Sequence, residues 1–267
     1  MDLQLNADRF SGDEFTKTYD QHRPHPPREI LLQCLQYLRA ESADTVLDIG
    51  CGTGISTQAW DGLASNIIGI DPSEGMLEIA KGRTAAFNSI SYLQSFSHSI
   101  ALPDESADII CCSQSFHWME PVNTLREVHR LLKKGGVFAV YDCAWPPSFH
   151  WEAEMAYRTL FLTIEQLTST LEQPLAHKWT KDSHLTNLHN SAHFRYVKKG
   201  LYHKTEQGGT EQFIGIALSQ GGLQALLNKG FSAEEIGLSK FLDAMERFAE
   251  HTPAPLGFHY TAFFAIK

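Results

Sequence analysis

Three glycines and two carboxylates hold most of the chemical information in this chain. Gly50, Gly52 and Gly54 alternate with Cys51 and Thr53, Asp48 stands two residues ahead of them, and Asp71 closes the apolar run that begins at Ile67. Glycines at this spacing let the backbone take positive φ and let a ligand approach without a Cβ in the way. A carboxylate at the position of Asp71 suits the two hydroxyls of a ribose, whereas Asp48 would repel a pyrophosphate and attract an ammonium group. A dinucleotide fingerprint needs glycine at the first, third and sixth positions, and the sixth residue from Gly50 is Ile55. The pattern therefore points away from a dinucleotide and toward a nucleoside that carries an amino acid.

These residues need a particular scaffold. Val46, Leu47 and Ile49 form a short apolar run of the kind found in a strand buried on both faces. The glycine turn follows, and Ile55 to Leu63 is expected to begin a helix, so that the strand end and helix start form a cradle for a ligand. Further on, a helix starts at Pro72 or Ser73 with Met76, Leu77 and Ala80 available for burial, ISYLQ reads as a third strand, and Asp108 to Cys112 as a fourth. Ligands in parallel sheets collect at the carboxyl ends of strands, which draws attention to Ser113, Gln114, His117 and Trp118. His117 is the candidate general base, since an imidazole titrates near neutral pH. PVNTLREVHRLLKKGG carries an amphipathic stripe on Leu125, Val128, Leu131 and Leu132 and is expected to stop at Gly135, ahead of a fifth strand in VFAVYD.

The segments VLDIGCGTGIST, IIGIDPSEGMLEIA, LPDESADIICCSQSFHW and LREVHRLLKKGGVFAVYD resemble the class I S-adenosylmethionine (SAM) dependent methyltransferases. The resemblance spans roughly residues 10 to 145 strongly and the remainder weakly. It implies a Rossmann-like α/β three-layer sandwich, with a mostly parallel seven-stranded sheet, an antiparallel last strand and a helical cap insertion. It also implies SAM as cofactor, held by Asp48, Gly50, Cys51, Gly52, Gly54, Asp71, Met76, Phe96, Ser97, Ser113 and Gln114. Many relatives place an acid where this chain has Ser95, Phe96 and Ser97, so the adenine edge would be read here by a backbone N–H or by stacking on Phe96. A Tyr-x-x-x-Arg-Pro element looks like that of the trans-aconitate methyltransferase branch, which would set Tyr19 and Arg23 over the SAM carboxylate and the substrate mouth. The implied activity is methyl transfer to a small molecule, with a carboxylic acid as the first candidate. An RNA or protein methyltransferase and a non-catalytic SAM-binding protein are the alternatives.

The formal net charge of −9 opposes a nucleic-acid partner, and the lysine doublet in LLKKGG is explained by a helix C-terminus. No apolar run approaches the roughly twenty residues of a membrane span, and MDLQLNADRF lacks the pattern of a signal peptide, so a cytoplasmic protein is expected. Five cysteines without a CxxC pair read as reduced thiols. Thirteen histidines include no HExxH motif, and although HRPHPP and the pair His184 and His189 invite a metal assignment, none is expected. With 267 residues, the chain is expected to form one domain, with an N-terminal lid over residues 1–30 and a cap over residues 144–193.

Overall fold

A computed structural model describes residues 13–248 and 254–267. The opening of the expected lid segment, and the MDLQLNADRF stretch, lie outside the described residues. The described residues gather into two compact units, one made of residues 25–143, 178–202 and 260–267, the other of residues 13–24, 144–177, 203–248 and 254–259.

The first unit is built on the sheet. Strand β1 (Ala43–Ile49) is followed by α3 (Ile55–Gln58), β2 (Ala64–Asp71), α4 (Glu74–Arg83), β3 (Ile90–Gln94) and β4 (Ala107–Ser113). Helix α5 (Pro121–Leu131) and β5 (Leu132–Cys143) complete its contiguous part, preceded by α2 (Arg28–Leu38). Strands β1 and β2 run parallel with Leu47 opposite Ile68 and Ile49 opposite Ile70, while Leu47 faces Ile110 of β4 on the other side. A strand with neighbours on both sides and helices on both faces buries a mostly apolar run, and Val46, Leu47 and Ile49 are at most 1% exposed. The seven strands lie in the order β3-β2-β1-β4-β5-β7-β6, where β6 is Tyr196–Gln207 and β7 is Pro255–Ile266. Strand β7 runs antiparallel to β5, pairing Val137 with Ile266 and Cys143 with Tyr260. The order reverses between β1 and β4, so the loops after these two strands diverge and leave a crevice at their carboxyl ends. The fold is thus the Rossmann-like α/β architecture expected from the sequence, a mostly parallel seven-stranded sheet with an antiparallel last strand.

Three local expectations change. Helix α3 is a single turn, because its chain must reach β2 at Ala64; turns closed by Trp60 N–H to Thr57 O and Asp61 N–H to Gln58 O carry it there, with Trp60 fully buried. Helix α5 ends at Leu131 and β5 begins at once, so Gly135 is no helix cap; its φ of 82° instead turns the chain where its N–H meets the carbonyl of Lys267. The residues before Arg23 form a helix, α1 (Asp13–His22), that the sequence pattern did not announce.

The second unit contains α1 and α6 (Trp151–Ser169), with α8 (Gly209–Leu218), α9 (Gly221–Asn228), α10 (Ala233–Ile236) and α11 (Leu238–Glu246). Helix α7 (His184–Asn190) belongs to the sheet unit, although the sequence reading assigned it to the cap. The core of the second unit is aromatic. Phe213, fully buried on α8, lies 5.4 Å from Phe149, 5.8 Å from Tyr157 and 6.5 Å from Phe241, ring centre to ring centre. Gly215 on the same helix leaves room for the ring of His22, and no Cβ would fit there.

Candidate cofactor and active site

The glycine loop leaves β1 with Gly50 N–H donating to Ile70 O at 2.7 Å, which ties the turn to the end of the adjacent strand. All three glycines have positive φ, but their surroundings differ. A Cβ on Gly50 would strike the Ser115 side chain, and one on Gly54 would strike the Tyr92 hydroxyl, each at 2.5 Å. Nothing lies within 4 Å of where a Cβ on Gly52 would point. Gly50 and Gly54 therefore serve close packing, and Gly52 keeps open the space that a ligand can enter.

Asp71, at the end of β2, holds this loop by its carboxylate. Its Oδ2 accepts from Gly52 N–H at 3.0 Å and its Oδ1 from Ser73 N–H at 2.9 Å. Burial raises its carboxyl to about 6, against the pull of those two backbone donors. Ser73 in turn caps α4 through Met76 N–H, and Met76 is 3% exposed. Cys51 is buried, with its thiol pushed well up by burial, so it lines the turn as an inert side chain.

Asp48 sits differently from the sequence expectation. It is fully buried, and its Oδ2 accepts from Ser56 Oγ and Thr57 Oγ1, each at 2.7 Å. Burial raises its carboxyl, and the two hydroxyls oppose the rise. A carboxylate so enclosed fixes the start of α3 beneath the glycine turn rather than meeting an ammonium group directly. The hydroxyls sit eight and nine residues after Asp48, where the sequence alone gave no reason to pair them with it.

After β3, Phe96 is half-buried and stacks on His98 with ring centres 5.7 Å apart, while Ser97 is buried and bonded to Thr124 Oγ1 at 2.8 Å. The Ser97 hydroxyl is thus engaged within the protein, leaving its backbone and the Phe96 ring as the groups able to face an adenine. Ser113 ends β4, and Gln114 takes φ 54° with its N–H on Tyr141 O at 2.9 Å. A side chain that is not glycine in this left-handed conformation is strained, and such strain gathers at functional sites. Ser115 then bonds back to Ile49 O at 2.7 Å, joining the ends of β4 and β1.

His117 is 4% exposed in a 3-10 turn (Phe116–Trp118), with Nδ1 3.3 Å from Asp142 Oδ1. Burial lowers its imidazole to about 4 against the opposing effect of Asp142, so it is neutral at pH 7. Asp142 also meets Lys181 Nζ at 2.8 Å and His184 Nε2 at 3.3 Å. Burial pushes Asp142 up, but His117, His184 and Lys181 outweigh it and hold the carboxyl well below the usual range. Asp142, Lys181 and His184 were invisible in the sequence reading as partners of His117, because they come from β5, from the turn before α7 and from the first residue of α7.

Tyr19 and Arg23 belong to the second unit. The Arg23 guanidinium lies 4.7 Å from the Tyr19 ring centre and 4.8 Å from that of Trp145. Its Nε donates to Ser219 Oγ and its Nη2 to Ser219 O, both at 2.9 Å. Arg23 is thus a half-buried tie between α1 and the end of α8.

Residues 47–140 match the methyltransferase domain family. An uncharacterized methyltransferase of Mycobacterium tuberculosis is 31% identical over 118 residues, 44% of this chain and 46% of that protein. The ubiquinone/menaquinone biosynthesis C-methyltransferase of Campylobacter jejuni is 33% identical over 105 residues, 36% of this chain and 43% of that protein. The chain thus spans about half the length of the curated relatives it matches. A solved structure from Anaeromyxobacter dehalogenans, described as a type II methyltransferase, superposes with a TM-score of 0.65 at 17% identity, covering 91% of this chain and 97% of that one. At that identity the likeness speaks for the fold. The family match and a Saccharomyces cerevisiae relative described as SAM-dependent, 27% identical over 127 residues, support SAM as the cofactor, in agreement with the motif from Asp48 to Gly54 and with Asp71.

Proposed function

We propose that this protein is a SAM-dependent methyltransferase acting on a small-molecule acceptor. The observation that carries the reading is the open face of Gly52, whose N–H is held by the Asp71 carboxylate at the carboxyl ends of β1 and β2. Gly52 would admit the amino-acid portion of SAM, and Asp71 would accept from the ribose hydroxyls, replacing or sharing its backbone donors. Met76 and Phe96 would flank the base, and Ser113 and Gln114 the reacting end. The chemistry supplied by bound SAM is an electrophilic methyl group, whose transfer leaves S-adenosylhomocysteine. The protein's part is to hold the acceptor in line and exclude water, an effect that reaches about 7–11 kcal/mol in well-oriented systems.

The acceptor class follows from charge and from the likeness to the trans-aconitate branch. A net charge of −9 disfavours nucleic acid, and the Campylobacter relative is a C-methyltransferase of quinone biosynthesis, which supports a small acceptor. We place a carboxylic acid first, with Tyr19 and Arg23 as its recognition residues, although the Nε and Nη2 of Arg23 are already committed to Ser219. An ionised acid needs no base. A phenol or amine would need one, and a neutral His117 can accept that proton. No described helix is long and apolar enough to cross a membrane, and the five buried free cysteines suit a reducing compartment, so we place the protein in the cytoplasm.

Titration calorimetry with SAM and S-adenosylhomocysteine tests the cofactor, and release of S-adenosylhomocysteine across small acids, phenols and amines tests the acceptor. Failure of SAM to bind would end the reading. Binding without turnover on any acceptor would favour a non-catalytic SAM-binding protein. With an acid, His117→Gln should change the rate little; with a phenol or amine, a loss of about 100-fold or more is expected.

A further inference from the structure

Three donor side chains meet at the carboxyl ends of β4 and β5 in a way the cofactor cradle does not use. His117 follows β4, Asp142 is the penultimate residue of β5, and His184 is the first residue of α7. They are 4%, 6% and 1% exposed, and all three lie in the sheet unit. His117 Nδ1 is 3.3 Å from Asp142 Oδ1, His184 Nε2 is 3.3 Å from Asp142 Oδ2, and one ligand atom from each residue lies within 4.8 Å of the others. None of these four atoms makes a hydrogen bond of acceptable geometry. The walls are apolar: the ring centre of Phe116 is 5.0 Å from that of His184, and that of Phe263 is 6.0 Å away.

Buried polar atoms are ordinarily hydrogen-bonded, and apart from the ion pair of Asp142 Oδ1 with Lys181 Nζ at 2.8 Å these four lack a well-aligned partner, which is costly. A hydrogen-bonded His–Asp–His relay would aim each ring N–H at the carboxylate, and these rings do not. Another arrangement accounts for the cluster. Tetrahedral zinc has bonds of about 2.0–2.1 Å to imidazole and carboxylate, which puts neighbouring ligand atoms about 3.3–3.4 Å apart; each histidine nitrogen stands 3.3 Å from its own oxygen of Asp142, and the three ligand atoms lie within 4.8 Å of one another, so a small shift would gather them around one ion. We propose that His117 Nδ1, Asp142 and His184 Nε2 form a binding site for a divalent transition ion of the zinc class. Two imidazoles and one carboxylate suit borderline ions of this kind, and three protein ligands leave a further position for water or an acceptor oxygen. The ligands come from three separate segments, so no sequence spacing signalled them, and the proposed site departs from the sequence-based expectation of no metal.

Lys181 is the competitor. Its Nζ is 2.8 Å from Asp142 Oδ1, on a three-residue turn, and its side chain is 32% exposed. The ion and the ammonium compete for one carboxylate, so the lysine must swing outward when the ion binds. Removing it should therefore strengthen binding.

The test uses the full chain after dialysis against a chelator, titrated with Zn2+ in competition with a chromophoric chelator and separately with Co2+. The wild type is expected to bind one Zn2+ per chain, and the Co2+ form to show the strong visible bands of a four-coordinate site. His184→Gln and His117→Gln should weaken Zn2+ by at least about tenfold, and Lys181→Met should tighten it. Equal affinity in wild type and His184→Gln would overturn the proposal, as would no binding in both wild type and Lys181→Met. Should the histidine variants fail to fold, Lys181→Met together with the Co2+ spectrum of the wild type decides. None of these measurements depends on methyl transfer, so the site stands or falls apart from the proposed activity.

Discussion

Cofactor affinity should fall as the solution is acidified from pH 7 to pH 5, and Asp71 should be the cause. Its carboxyl, raised to about 6 by burial, must be ionised to accept two ribose hydroxyl hydrogen bonds. With that value, roughly ten molecules in eleven are ionised at pH 7 and roughly one in eleven at pH 5. If only the ionised form binds, the dissociation constant for SAM rises about tenfold over this interval, or about 1.4 kcal/mol. The cofactor-free protein should show the opposite trend. A carboxyl whose value is raised by folding destabilises the folded chain once ionised; this contribution is absent below the unfolded value near 4 and fully present above about 6. Relative to Asp71→Asn, apo wild type should thus gain stability as pH falls from 7 to 5, while the stabilisation added by SAM shrinks. Asp71→Asn should bind SAM weakly at every pH in the range, and because it retains Asp48 it separates the two buried acids. Calorimetry at half-unit pH steps gives the affinities, and thermal melts give the stabilities. A wild-type affinity that is flat from pH 7 to pH 5, or an equally steep dependence in Asp71→Asn, would refute the reasoning.

Gly52→Ala should lose roughly 1–2 kcal/mol of stability from its left-handed backbone and at least about tenfold in SAM affinity, because the new methyl enters the open cradle. Gly54→Ala should instead fail to give soluble folded protein, since its Cβ meets Tyr92 and Ala80; circular dichroism and melting of the pair would expose a reversal. Thr57→Val should cost about 1–3 kcal/mol in urea unfolding by removing a donor from the buried Asp48 carboxylate, and an unchanged midpoint would show that the hydroxyl is not needed. Arg23→Ala should lower the melting temperature by several degrees, since two hydrogen bonds to Ser219 and stacking on two rings vanish; an unchanged melt would return Arg23 to a purely substrate-facing role.

What the chain's own order of residues determined is the part governed by local rules. Backbone freedom at Gly50, Gly52 and Gly54 and the apolar runs around Leu47 and Ile70 are properties of neighbouring residues, and they were legible as a strand, a turn and an acid at Asp71. The same locality explains the first five strands, because period and turn chemistry are read within a dozen residues, whereas the count of seven came from the family resemblance. Asp48 shows where that reasoning stops. Its type and spacing suggested a ligand contact, but only the packed structure encloses it and supplies Ser56 and Thr57 as its partners. Arg23 was likewise assigned by pattern, and the hydrogen-bond partner the fold gives it, Ser219, is 196 residues away. His117, Asp142 and His184 were scattered histidines and an aspartate at the end of a strand until the sheet order set β5 beside β4 and the segment at α7 closed over them. Contacts between distant segments depend on which strands neighbour each other and on which side chains lose their water, and both are decided by the whole chain's packing rather than by any stretch of it.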